Sequence, residues 1–105
     1  MTDKASRIDL LSLDEAANAA RTAEISEQMA QLSVFRVLLR HPAVAGELAS
    51  TLTTLLFRGN LLDARLRELI IMRIGWRTGS VYEWTQHWRV ARGLDIPAAV
   101  LAATR

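Results

Sequence analysis

Glu83 and His87 stand four residues apart in the run Ser80-Val81-Tyr82-Glu83-Trp84-Thr85-Gln86-His87. On a helix that spacing sets a carboxylate beside an imidazole, fixing its tautomer and readying it to move a proton near neutral pH. Glu83 has a plainer use as the third residue after Ser80 in a capping box, which would leave His87 a helix-surface partner. Glu68 is the third group of interest. At ~100° per residue it falls among Ala64, Ile71, Met72 and Gly75, company in which an unpartnered carboxylate is costly. It is read either as a structural salt bridge to an arginine of a neighbouring helix or a rim position facing water, or as a buried acid available for proton transfer. Trp76, Trp84 and Trp88 form either core or subunit interface, or a box for stacking a ligand. His41, beside Pro42, reads as a structural residue at a helix start.

The elements that must position these groups are helices. Alanine and leucine dominate the 105 residues, and only two prolines and five glycines interrupt them. Residues 1–11 read as an irregular leader, with Ile8, Leu10 and Leu11 packing on something. Ser12-Leu13-Asp14-Glu15 has the capping-box pattern and opens a first helix to about Ala30. A second, short helix covers Val34 to Arg40. A third runs from Pro42 to about Phe57 on a stripe of Val44, Leu48, Leu52, Leu55 and Leu56, and Gly59-Asn60 ends it. The fourth starts near Leu62 or Asp63 and ends at Thr78-Gly79, with Gly79 as C-cap. The charges Asp63, Arg65, Arg67, Arg73 and Arg77 scatter over one broad side of it. The fifth opens at Ser80, carries a core stripe of Val81, Trp84, Trp88 and Ala91, and ends at Gly93. A sixth starts after Asp95-Ile96-Pro97. The expectation is an all-α chain of about six helices in a single domain over residues 1–105.

Composition narrows the chemistry. With no cysteine there is no disulfide, thiolate metal site or thiol peroxidase cycle, and the chain agrees with a reducing cytoplasm. Nothing approaches the ~18 uninterrupted apolar residues of a membrane span, and the polar start resembles no secretory signal. The net charge is only +2, with acids and bases interleaved, so nucleic acid is not the expected partner. Half the residues are hydrophobic, rich for a lone monomer of this size, which points to a subunit interface. There is no Gly-rich phosphate loop, no metal-ligand spacing such as H-E-x-x-H and no nucleophile elbow.

The run Leu66 to His87 carries R-E-L-I-I-M-R, then T-G, then Y-E-W-x-x-H on the next helix. Upstream lie the elements R-H-P and L-L-F-R-G. In this order and spacing the chain resembles the carboxymuconolactone decarboxylase family, with its alkylhydroperoxidase D-like relatives, from about Phe35 to Gly93. In the peroxidase branch a glutamate precedes C-x-x-C, and a histidine follows four residues after the second cysteine. Glu68 and His87 match the glutamate and histidine. The cysteine positions fall on Ser80 and Glu83, so the peroxidase cycle does not carry over.

The resemblance to the decarboxylase branch implies cofactor-free acid–base chemistry on a small organic acid or lactone. It names His87, Glu83 and Glu68 as candidate catalytic residues, and Arg73, Arg77, Tyr82 and Trp84 as candidates for holding substrate. An arginine would position the substrate carboxylate, and His87, paired with Glu83, would protonate the carbanion left by CO2 while Glu68 tunes or relays that proton. The resemblance also implies a homo-oligomer, from dimer to hexamer. Relatives continue into further C-terminal helices, so this is either a truncated form or one whose missing layer another subunit supplies. The rival readings are a non-catalytic oligomer with a decayed site, a nucleic-acid-binding module and a metal site built from Glu68, Glu83 and His87.

Overall fold

The computed structural model describes residues 6–58 and 61–105. Among them every regular element is a helix and no strand occurs. Among the described residues there are seven helices rather than about six. The chain divides into two compact units, Met1–Arg58 and Gly59–Arg105, each with its own buried cluster. The expected stop at Gly59-Asn60 lies outside the described residues.

The N-terminal unit opens with α1, Leu13–Ala23, started by a closed capping box. The Ser12 hydroxyl accepts from the Glu15 amide, and the Glu15 carboxylate accepts from the Ser12 amide, both at 3.1 Å. The helix expected to reach Ala30 breaks at Glu24, which turns left-handed with φ of 58°. That break points Ile25 into the core. It also frees Ser26 to cap α2, Glu27–Ala30, through the Met29 amide. α3, Ser33–Leu38, supplies Phe35, with Leu39 just beyond it.

α4, Pro42–Leu56, starts on His41, whose Nδ1 accepts from the Val44 amide. The structural reading of His41 therefore holds. The expected leucine stripe does not face the core: Val44, Leu48 and Leu55 are exposed, whereas Ala45 and Ala49 are buried, with Leu52 packed beside them. Small residues win this face because the helices approach closely. A Cβ on Gly46 would lie 3.3 Å from the carbonyl oxygen of Ala23. In the leader, Leu11 packs on the cluster and its amide donates to Arg36, but Ile8 is exposed.

The C-terminal unit is a hairpin of α5, Ala64–Thr78, and α6, Val81–Gly93, closed by α7, Ala98–Ala102. Asp63 caps α5 through the Leu66 amide at 3.0 Å. Gly79 ends it in the left-handed region at φ of 71°, where a side chain would be strained. Ser80 then caps α6 through the Glu83 amide. Met72, Ala91, Ile96 and Leu101 form the core, with Leu69, Trp84, Trp88 and Leu94 packed on it. Val81, expected in that stripe, is 77% exposed at the mouth of the hairpin.

Candidate acid–base site

Glu68 is the one buried charged residue among the described residues, fully shielded from solvent. Its position on α5 places it with Met72 and Gly75 on the inward face. Its burial is compatible with charge because both oxygens are engaged. Oε1 lies 2.6 Å from His87 Nδ1, and Oε2 lies 2.8 Å from Arg67 Nε. An ionised carboxylate can only accept, so this geometry places the Nδ1 proton of His87 toward Glu68. The structural reading of Glu68 expected an arginine of a neighbouring helix. The cation is instead the adjacent residue of the same helix, and the neighbouring helix supplies the histidine.

His87 is 16% exposed at its side chain, and its Nε2 points the other way, 3.4 Å from Glu83 Oε2. That separation is long for a hydrogen bond, and the two groups form an ion pair only when the ring is protonated. The Ser80 capping box is only half closed: the hydroxyl takes the Glu83 amide, while the Glu83 carboxylate sits against His87. The imidazole thus stands between a buried carboxylate at Nδ1 and a half-exposed one at Nε2. The two ring nitrogens diverge, so the three groups surround the ring rather than converge on one point. Among the described residues no group of three or more histidine and acidic side chains is arranged to hold a metal ion.

Gly75 lets α6 come this close. A Cβ built there would lie 3.4 Å from the Trp84 nitrogen and 3.7 Å from Glu83 Cβ. The backbone of α5 therefore lies against the turn of α6 that carries Glu83.

The other predicted site residues lie elsewhere on the unit. Arg73 donates to the carbonyl of Thr104 at 3.1 Å, and Arg77 is exposed near the end of α5. Neither takes part in an ion pair among the described residues. Tyr82 is half-buried in the first turn of α6. Trp84 stands between Trp76 at 5.6 Å and Trp88 at 6.0 Å, measured between ring centroids. It lines a cavity of about 250 Å³ with Trp76, Gly75, Gly79, Ser80 and Val81. A larger cavity, about 990 Å³, lies in the N-terminal unit beside α2 and α4 and contains none of the candidate residues. Of the candidate residues, the smaller one is lined by Trp84 alone.

Arg67 is the residue that sequence reasoning missed: it was grouped with the charges scattered over one broad side of the helix, apart from Glu68. Adjacent residues on a helix do not face each other, so spacing argued against the contact. The signal that could have found it is the need of a buried carboxylate for more than one partner. Three further arginines of the unit donate to main-chain carbonyls: Arg65 to Leu94, Arg92 to Ile96 and Arg105 to Ala102.

No curated protein and no solved structure matches the chain. The model of the carboxymuconolactone decarboxylase family matches residues 42–104, which takes in α5, α6 and every group of the site. The matched segment carries Glu68 and His87, the pair that the motif resemblance rested on, and spans well over half of the sequence: this chain belongs to the carboxymuconolactone decarboxylase family.

Proposed function

We propose that the chain carries out thiol-independent acid–base chemistry on a small organic acid or lactone, by decarboxylation or a related lyase or isomerase step, with His87 as the group that moves the proton. The observation that carries this reading is the 2.6 Å contact between His87 Nδ1 and the fully buried Glu68. It fixes the ring and its tautomer, leaving Nε2 as the working end. In the decarboxylation version the bond between the substrate's carbon and its carboxylate breaks and CO2 departs. The electron pair stays on the substrate as a dienolate, and the proton on Nε2 of the imidazolium passes to that carbon. The neutral ring then regains a proton from solvent, for which half-exposed Glu83 is the relay. Glu68 keeps its charge opposite Nδ1 throughout and steadies the imidazolium.

The alternative of a decayed, non-catalytic site expects Glu68, Glu83 and His87 to point apart. Their grouping around one ring favours the active reading. We also propose a homo-oligomer, which the exposed Leu66, Ile70 and Ile74 at four-residue steps along α5 support. The experiment for the activity is incubation with carboxymuconolactone and related unsaturated lactone acids in D2O. CO2 release with one deuterium on the product carbon is expected, and absence of turnover across the series would overturn the reading.

A further inference from the structure

Arg67 precedes Glu68 directly on α5, so the 2.8 Å contact from its Nε to Glu68 Oε2 needs the arginine side chain to turn back across the helix. It does so at 12% exposure, giving up most of the water that an arginine on a helix surface keeps. A guanidinium so placed costs free energy unless an acid offsets it, and Glu68 is that acid. The two oxygens of Glu68 therefore face different kinds of donor. Oε2 faces a group that never loses its proton, and Oε1 faces, at 2.6 Å, a ring nitrogen that can. The other charged group against the ring is Glu83, half-exposed on α6, while α7, Ala98–Ala102, holds no charged residue.

When Glu68 and His87 share two protons, the one between Nδ1 and Oε1 has two places to sit. On Nδ1 it leaves an imidazolium beside a carboxylate, and the Nε2 proton is then an acid useful near neutral pH. On Oε1 it leaves a neutral acid beside a neutral ring, whose Nε2 proton is far too weakly acidic to give. A carboxylate wholly out of solvent favours the second arrangement unless a cation stands at its other oxygen. We propose that Arg67 is the positioning residue that decides between the two: its fixed charge at Oε2 keeps the shared proton on Nδ1, and so keeps His87 a general acid. For its effect on turnover the proposal rests on the acid–base reading of His87, but the place of the proton is a property of the chain alone.

The test is NMR of the intact chain, labelled with 15N in histidine and 13C in the glutamate carboxyl and titrated from about pH 8 to about pH 5. In the native protein both ring nitrogens of His87 should become protonated as the pH falls, while Glu68 keeps the shift of a carboxylate. In Arg67→Gln the Glu68 carboxyl should move to the shift of a protonated acid, and Nδ1 should stay unprotonated. Arg67→Lys puts a cation back and should restore the native pattern. Where an acid is turned over, kcat should fall roughly a hundredfold in Arg67→Gln and recover in Arg67→Lys, with KM little changed. A protonated Glu68 in the native protein overturns the proposal whether or not Arg67→Gln folds. A carboxylate beside an imidazolium in folded Arg67→Gln overturns it too. So does an Arg67→Lys protein that behaves as Arg67→Gln does, since the effect would then belong to side-chain shape and not to charge. Absence of turnover in the native protein removes the acid–base reading and leaves the NMR pattern to decide the role of Arg67.

Discussion

His87 Nδ1 and Glu68 Oε1 meet at 2.6 Å across the α5–α6 hairpin, with Glu68 wholly out of solvent and Arg67 holding its other oxygen at 2.8 Å. A buried carboxylate with both oxygens engaged stabilises the hairpin only while both partners are present. Glu68→Ala takes the buried carboxylate away from both Arg67 and His87 and should cost about 3–5 kcal/mol, a large share of the ~5–15 kcal/mol stability of a small domain. Glu68→Gln keeps the shape and should cost about 1–3 kcal/mol. Urea unfolding of the three proteins measures both values. The reverse order, or no loss in Glu68→Ala, would mean that the contact does not hold the hairpin together.

The approach of α6 to α5 depends on the size of residue 75. A methyl group there meets Trp84 and Glu83 at ordinary contact distance, 3.4 to 3.8 Å. Gly75→Ala should therefore fold and keep the His87–Glu68 contact, while Gly75→Val should force the hairpin open at a cost of about 1–3 kcal/mol. The chemical shifts of the His87 ring nitrogens report the outcome. In the native chain and in Gly75→Ala the neutral ring should carry its proton on Nδ1, and in Gly75→Val that preference should be lost.

A separate pH effect belongs to the N-terminal unit. The Ser12 amide first, then the Ser12 hydroxyl, hold the Glu15 carboxylate below the usual glutamate value, against an opposing effect of burial and with a lesser contribution from Arg40 in the same direction. The folded value is thus lower than the unfolded one, so the stabilisation is complete above the unfolded value and fades as pH falls through the folded value. Thermal melts of the native chain and Glu15→Gln should differ at neutral pH and converge between about pH 6 and pH 3. Ser12→Ala should cost about 1 kcal/mol at neutral pH. Melts that stay parallel on acidification would contradict the assignment.

Much of the hairpin was legible in the sequence because its signals are local. Asp63 at the start of α5, Gly79 at its end and Ser80 at the start of α6 act within a few residues of themselves, and the structure finds each in its expected role. The Glu83–His87 spacing likewise put those two side chains together. What depends on a second helix was not legible. That Glu68 meets His87, rather than water or an arginine of another helix, follows from how closely Gly75 lets α6 approach. The break at Glu24 was missed because a left-handed glutamate carries no glycine signal, and only the burial of Ile25 and the cap at Ser26 justify it. On α4 the leucines outweighed the alanines in the pattern, but close helix approach selects small residues, so Ala45 and Ala49 took the inward face.

The central claim is that His87 moves the proton. The most direct measurement is turnover of carboxymuconolactone, or of whichever related lactone acid the native chain decarboxylates, by the native protein and by His87→Ala, with folding of the variant verified by circular dichroism. The account predicts a fall in kcat of about 10²–10⁴-fold, the range for loss of a positioned general acid. A His87→Ala protein that turns over the same acid at the native rate would contradict it.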